Sequence, residues 1–164
     1  MPGQLLLVAA ACLAAGIGCG IRWSKIWLGV TLLGTMSALA AAALLLVGQP
    51  EWEWRSGFLI GGELVHLRLD GLSALFLALL SVVGAAGAVY AREYWSDRDY
   101  PASAPRGRIW WSSLLLGMGV VVTASNGLHF LFGWELFTVS AFFLVTLDNR
   151  RRDVRAAGWL YLAA

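Results

Sequence analysis

Apolar residues are gathered along this chain into long stretches parted by short polar segments. Residues 5–21 contain no charge, and residues 26–47 hold nothing more polar than Thr31, Thr35 and Ser37, whose hydroxyls can bond back to their own helix. Gln49-Pro50 then closes the second stretch. Residues 71–90 follow Asp70, a residue suited to cap a helix, while 109–124 form a shorter run and 128–147 a fifth. A helix needs roughly 20 apolar residues to cross about 30 Å of hydrocarbon, with about 17 as the lower limit. Each of these runs is therefore predicted to span a bilayer. Residues 156–164 open a sixth run too short to cross, so the chain is expected to be the amino-terminal piece of a longer protein. The pattern predicts an all-α integral membrane fold of five transmembrane helices plus the start of a sixth, with a short external β-hairpin.

That hairpin is expected within residues 48–70. Glu51-Trp52-Glu53-Trp54 alternates with period two, residues 64–69 alternate again, and Gly61-Gly62 supplies a turn between them. Its tryptophans belong at the water boundary, where amphipathic rings are favoured, and Trp23, Trp27, Trp95, Trp110 and Trp111 belong at the opposite one.

Charge tests this layout, because cytoplasmic loops collect Lys and Arg. With the amino terminus outside, ten of the twelve basic residues (Arg22, Lys25, Arg92, Arg98, Arg106, Arg108, Arg150, Arg151, Arg152 and Arg155) fall in cytoplasmic connections, leaving Arg55 and Arg68 outside. The expected location is the inner (plasma) membrane, crossed several times. Composition agrees, since hydrophobic residues at 59% against 13% charged lie outside the soluble range. A net charge of +2 is too small to imply nucleic acid as a partner.

Candidate chemistry is sparse. Cys12 and Cys19 lie on one face of the first run and read as small buried hydrophobes, with no histidine or third thiol nearby to make a metal site. Gly16, Gly18 and Gly20 read as a surface for neighbouring helices. No phosphate-binding loop or nucleophile motif is present, and no cofactor is expected. One residue stands apart. Glu135 is the only ionisable side chain inside a complete span other than His129, and it lies roughly 10 Å below the outer hydrocarbon edge. A charge there costs on the order of 2.5 to 3.5 kcal/mol or more. Thr138 lies one turn along the same side and Thr146 returns to nearly the same meridian, giving a thin polar stripe expected to point into the bundle. Burial favours the protonated carboxyl and a nearby cation the carboxylate, so a cation that moves would switch the group's hold on a proton. Structural glue between helices is the alternative. His129 reads as an interfacial residue near a helix start, with a proton relay as the alternative, and His66 as solvated. Arg150-Arg151-Arg152 reads as a topology signal that could also dock a cytoplasmic partner.

The segment Phe130-Leu131-Phe132-Gly133-Trp134-Glu135-Leu136-Phe137-Thr138-Val139-Ser140-Ala141-Phe142-Phe143-Leu144-Val145 resembles the fifth helix of the antiporter-like proton-translocating subunits of respiratory complex I, Mrp-type antiporters and membrane-bound hydrogenases. Leu67-Arg68-Leu69-Asp70-Gly71-Leu72-Ser73-Ala74-Leu75-Phe76 is similar to the start of that family's third helix, and Arg155-Ala156-Ala157-Gly158-Trp159-Leu160-Tyr161-Leu162 to the start of its sixth. The form Trp-Glu-Leu followed by Phe-Phe-Leu-Val-Thr is most similar to the membrane subunit (component B) of hydrogenase-4 and formate hydrogenlyase. The resemblance implies that Glu135 pairs with a lysine on a seventh helix and tunes its proton affinity. The sole lysine here is Lys25. It also implies proton translocation within a hydrogenase or NADH:quinone oxidoreductase-like complex, with membrane and peripheral partner subunits carrying the redox centres. An Mrp-type cation/proton antiporter subunit and a membrane scaffold without transport remain alternatives.

Overall fold

The computed structural model describes residues 1–163. In chain order it forms α1 (Pro2–Cys19), α2 (Ser24–Leu46), β1 (Trp52–Ile60), β2 (Glu63–Leu69), α3 (Gly71–Tyr94), α4 (Ala104–Thr123), α5 (Gly127–Val145) and α6 (Arg152–Ala163). Local sequence sets many of these boundaries. Pro2 occupies the first turn of α1, where its missing N–H forfeits no helical bond. Asp70 caps α3 by accepting from the Ser73 N–H at 2.8 Å, and Asn126 caps α5 by accepting from the His129 N–H at 2.8 Å. Hydroxyls within the helices donate to carbonyls one turn back, Thr35 to Thr31, Ser81 to Leu77 and Ser140 to Leu136.

Among the described residues, α1, α2, α3 and α5 are the four helices long and apolar enough to cross a membrane. The expected count of five spans is thus four by this measure, because α4 carries Pro105, Arg106, Arg108, Ser112 and Ser113 in its first half. Its place in the fold explains the difference. α4 packs against α1, α3 and α5 together, and Arg108, Ser112 and Ser113 are buried there, so these three polar groups meet other helices. α6 covers twelve residues and rests on the end of α5.

Small residues let the helices approach closely. Gly34 of α2 faces Ala9 and Cys12 of α1, and Gly84 of α3 faces Leu115 of α4 and Thr35 of α2. Alanines at 9, 38, 41, 42 and 74 join Leu45, Leu69 and Leu77 in one buried cluster where α1, α2 and α3 meet the hairpin. Gly16 of α1 faces Ser112 and Gly20, at the helix C-cap, faces Arg108, whereas Gly18 faces open space and is no part of a helix contact. Cys12 and Cys19 are free and half-buried.

The hairpin is present and longer than expected. β1 and β2 pair antiparallel from Trp52↔Leu69 to Ile60↔Glu63, with a bulge between Arg55 and Leu59. Gly61 and Gly62 make the turn at φ of +64° and +90°, a conformation favouring glycine at both places. The Ser56 hydroxyl accepts from the Val65 N–H at 3.0 Å, which satisfies a donor the bulge would orphan. β2 also pairs on its other edge with the α4–α5 connection, where Leu67 bridges Ala124 and the Ser125 N–H donates to the His66 carbonyl at 2.9 Å. The hairpin is thereby tied to the root of α5. His66 is not solvated as expected, because its side chain is mostly covered and Nε2 stands 2.7 Å from Glu53 Oε1.

Candidate functional site

The antiparallel pair of α4 and α5 fixes the orientation of Glu135, the acidic residue near the middle of α5. Gly117 and Gly133 bring the two backbones together, for a Cβ on Gly133 would stand 2.9 Å from the Val121 nitrogen and 3.0 Å from the Gly117 oxygen. Nearer the arginine-rich end the pair is held by Trp110 stacked on Phe143 with ring centroids 4.2 Å apart. Gly133 must therefore face α4. Glu135 follows two residues later, about 200° around the helix, so it points away from α4.

Glu135 is exposed on that outward face, and it makes no hydrogen bond or ion pair with any described residue. It stands eight residues into a nineteen-residue helix, about 12 Å from the α5 start. Its neighbours one turn away are Leu131, Phe132, Thr138 and Val139, and the first two and Val139 are exposed. A carboxyl thus stands alone at mid-helix in a broad apolar surface. Of the expected stripe, Glu135 is turned away from the helices described here. Thr138 is half-buried, and Thr146 donates its hydroxyl to the Phe142 carbonyl at 2.8 Å while Gly158 of α6 packs against its methyl.

His129 sits in the first turn of α5, as expected for a residue near a helix start, yet it is only 5% exposed. Asn126 Nδ2 donates to the Leu64 carbonyl at 3.0 Å, which turns Asn126 Oδ1 toward His129 Nδ1 at 2.6 Å. An amide oxygen accepts only, so Nδ1 donates to it, and Nε2 is buried without a hydrogen-bond partner among the described residues. His129 and Glu135 lie about 9 Å apart along the axis and about 120° apart around it, so they do not share a face.

A second polar cluster, centred on Arg108, joins α1, α2 and α4. Arg108 was assigned to a cytoplasmic connection, but it belongs to α4 and is 7% exposed. Its Nε donates to the Gly20 carbonyl at 2.7 Å, satisfying the end of α1, and Nη1 donates to Asp97 Oδ1 at 2.8 Å. Trp27 Nε1 is shared between the Arg108 carbonyl at 3.1 Å and Ser112 Oγ at 3.0 Å. The partners of Arg108 stand 88 and 11 residues away, and the interruption of α4 by two arginines was the available signal.

Outside the helices, Glu53 meets Arg55 at 2.8 Å, and the Arg55 guanidinium, followed by the His66 ring, holds its carboxyl below the usual range. The Ser73 amide at the start of α3 does the same for Asp70. Among the described residues, no three His, Cys, Asp or Glu side chains gather as a metal site requires.

Several helices long and apolar enough to cross a bilayer define a multi-pass membrane protein. No family model matches the chain. Over 82 residues, half of this chain, it is 37% identical to a protein of Staphylococcus aureus (strain MRSA252) named "Putative antiporter subunit mnhA2". Over 89 residues it is 36% identical to a protein of the same name from Staphylococcus saprophyticus subsp. saprophyticus. These likenesses support the antiporter-like family. The matched segments cover 10% and 11% of those relatives' lengths.

Proposed function

We propose that this chain is part of a cation/proton antiporter subunit in which Glu135 takes up and releases the translocated proton. The supporting observation is its place at mid-helix on the face of α5 turned away from α4, without a charged partner among the described residues. An uncompensated charge in hydrocarbon costs at least about 2.5 kcal/mol, so a carboxylate at this place calls for a partner. A cation brought to the same face favours the carboxylate, and the proton leaves. The α4 contact keeps the carboxyl facing the side from which that cation must come. By the family resemblance, the cation would be a lysine of a further helix.

In this reading the arginine-rich end lies in the cytoplasm and the amino terminus and hairpin lie outside, in a plasma membrane, with the other membrane subunits of an antiporter as partners. The names of the relatives favour an antiporter over a redox complex. A second reading, a proton-translocating subunit of a hydrogenase or NADH:quinone oxidoreductase-like complex, draws on the run Trp134-Glu135-Leu136 with Phe142-Phe143-Leu144-Val145-Thr146. Subunits that copurify with the chain separate the two.

The test is cation-driven proton movement in everted vesicles holding the complete complex. Glu135→Gln should cut the rate at least tenfold while assembly stays normal, and Glu135→Asp should keep part of it. Unchanged transport by the assembled Glu135→Gln complex would remove Glu135 from the mechanism.

A further inference from the structure

At the arginine-rich end of the bundle, α4 and α6 both rest on the end of α5 and leave between them a cavity of about 390 Å³. Arg106 and Arg155 line it from opposite helices, together with Asn149, Trp110, Phe142 and Trp159. Both guanidiniums have donors to spare. Arg106 spends Nε on the Ala102 carbonyl at 3.2 Å and keeps both terminal nitrogens free, while Arg155 spends Nη1 on the Asn149 and Arg150 carbonyls at 2.8 and 2.9 Å and keeps Nε and Nη2. Neither meets a carboxylate among the described residues. Arg108 and Arg151 nearby are different, for Asp97 and Asp153 occupy them.

We infer that this cavity is a binding site for an anionic phospholipid, with the phosphate between Arg106 and Arg155 and an acyl chain on the aromatic wall. Charge supplies the first argument: two unpaired guanidiniums converge on one recess, and each can grip a phosphate with two N–H groups. Apolar lining supplies the second. Trp110 and Phe142 floor the recess, Trp159 forms an exposed lip, and Phe143 carries the apolar surface on along α5. A small soluble anion would leave that floor bare, whereas a lipid covers it. Depth supplies the third, because the site lies where apolar helices give way to arginines, at the level of headgroups. The inference rests on the multi-pass reading and needs no role for Glu135.

The probe is phosphatidylglycerol against phosphatidylcholine of the same acyl chains, added to the detergent-purified full chain and counted by native mass spectrometry. Two arginines near a headgroup should favour the anionic lipid roughly thirtyfold. Arg106→Gln with Arg155→Gln should abolish that preference, and Arg106→Lys with Arg155→Lys should keep only part of it. Arg150→Gln with Arg152→Gln removes the same charge outside the recess and should leave the preference within about threefold. An equal loss in both glutamine pairs would reduce the effect to general surface charge and overturn the site. Equal retention of the two lipids, or displacement of phosphatidylglycerol by millimolar inorganic phosphate, would overturn it too. Transport by Glu135 variants is unaffected by any of these outcomes.

Discussion

Replacing Gly133 with alanine tests whether the α4 contact sets the direction in which Glu135 points. The added methyl would meet the Val121 nitrogen at 2.9 Å and the Gly117 oxygen at 3.0 Å, both of them backbone atoms that no rotamer change can move. Ordinary contact is about 3.5 Å, so the helices must part by about 0.5 Å or α5 must roll. Parting two stiff helices also loosens the Trp110–Phe143 stack and the contact of Leu147 with Gly107. Overpacking of this kind costs about 1–3 kcal/mol, and backbone on both sides argues for the upper half of that range. Gly119→Ala is the control, because nothing lies within 4 Å of its added carbon. Alanine there should be neutral or stabilise by up to about 1 kcal/mol through helix propensity. The assay is unfolding of the purified chain in mixed micelles titrated with denaturing detergent, read by tryptophan fluorescence. If Gly133→Ala matched Gly119→Ala, the close approach would not hold α5 in place.

Three further outcomes are expected. Arg108→Met should destabilise by about 2–4 kcal/mol, mostly by orphaning the Gly20 carbonyl, since Asp97 is half exposed and its pair adds at most about 1 kcal/mol. Arg108→Lys should recover only part, because one ammonium cannot reach both partners as the guanidinium does; full recovery in the same titration would contradict this. Asp70→Ala should cost about 1 kcal/mol by uncapping α3. The cap holds that carboxyl below its usual range, so its stabilisation is complete above about pH 4 and lost as pH falls through the depressed value. Asp70→Asn should show no such acid loss in unfolding curves taken across pH. Acidification should loosen the hairpin in the same direction as Glu53 gains a proton and releases Arg55 and His66, with Glu53→Gln insensitive; amide resonances of β1 unchanged at low pH would count against it.

Much of the layout was legible because lipid imposes a coarse rule on sequence. Asp70 announced α3 and Gly61-Gly62 announced the turn. Hydropathy says what faces lipid and is silent on which helix faces which. For that reason α4 was counted as a span like the others, although its Ser112 and Ser113 are buried against neighbours, and Arg108 was read as a loop charge. Periodicity placed Glu135 and Thr138 on one side of α5 but could not say that Gly133, on the other side, would meet α4. Likewise the covering of His66 depends on Glu53, thirteen residues earlier across the hairpin register.

The most direct test of the central claim is carbodiimide labelling of Glu135 in membranes holding the complete protein, followed by mass spectrometry of the α5 peptide. A hydrophobic carbodiimide reacts with protonated carboxyls within lipid. The account predicts an adduct on Glu135 that falls as the transported cation is raised and is absent in Glu135→Gln. No adduct in the absence of added cation, with exposed carboxyls labelled normally by a water-soluble carbodiimide, would contradict it.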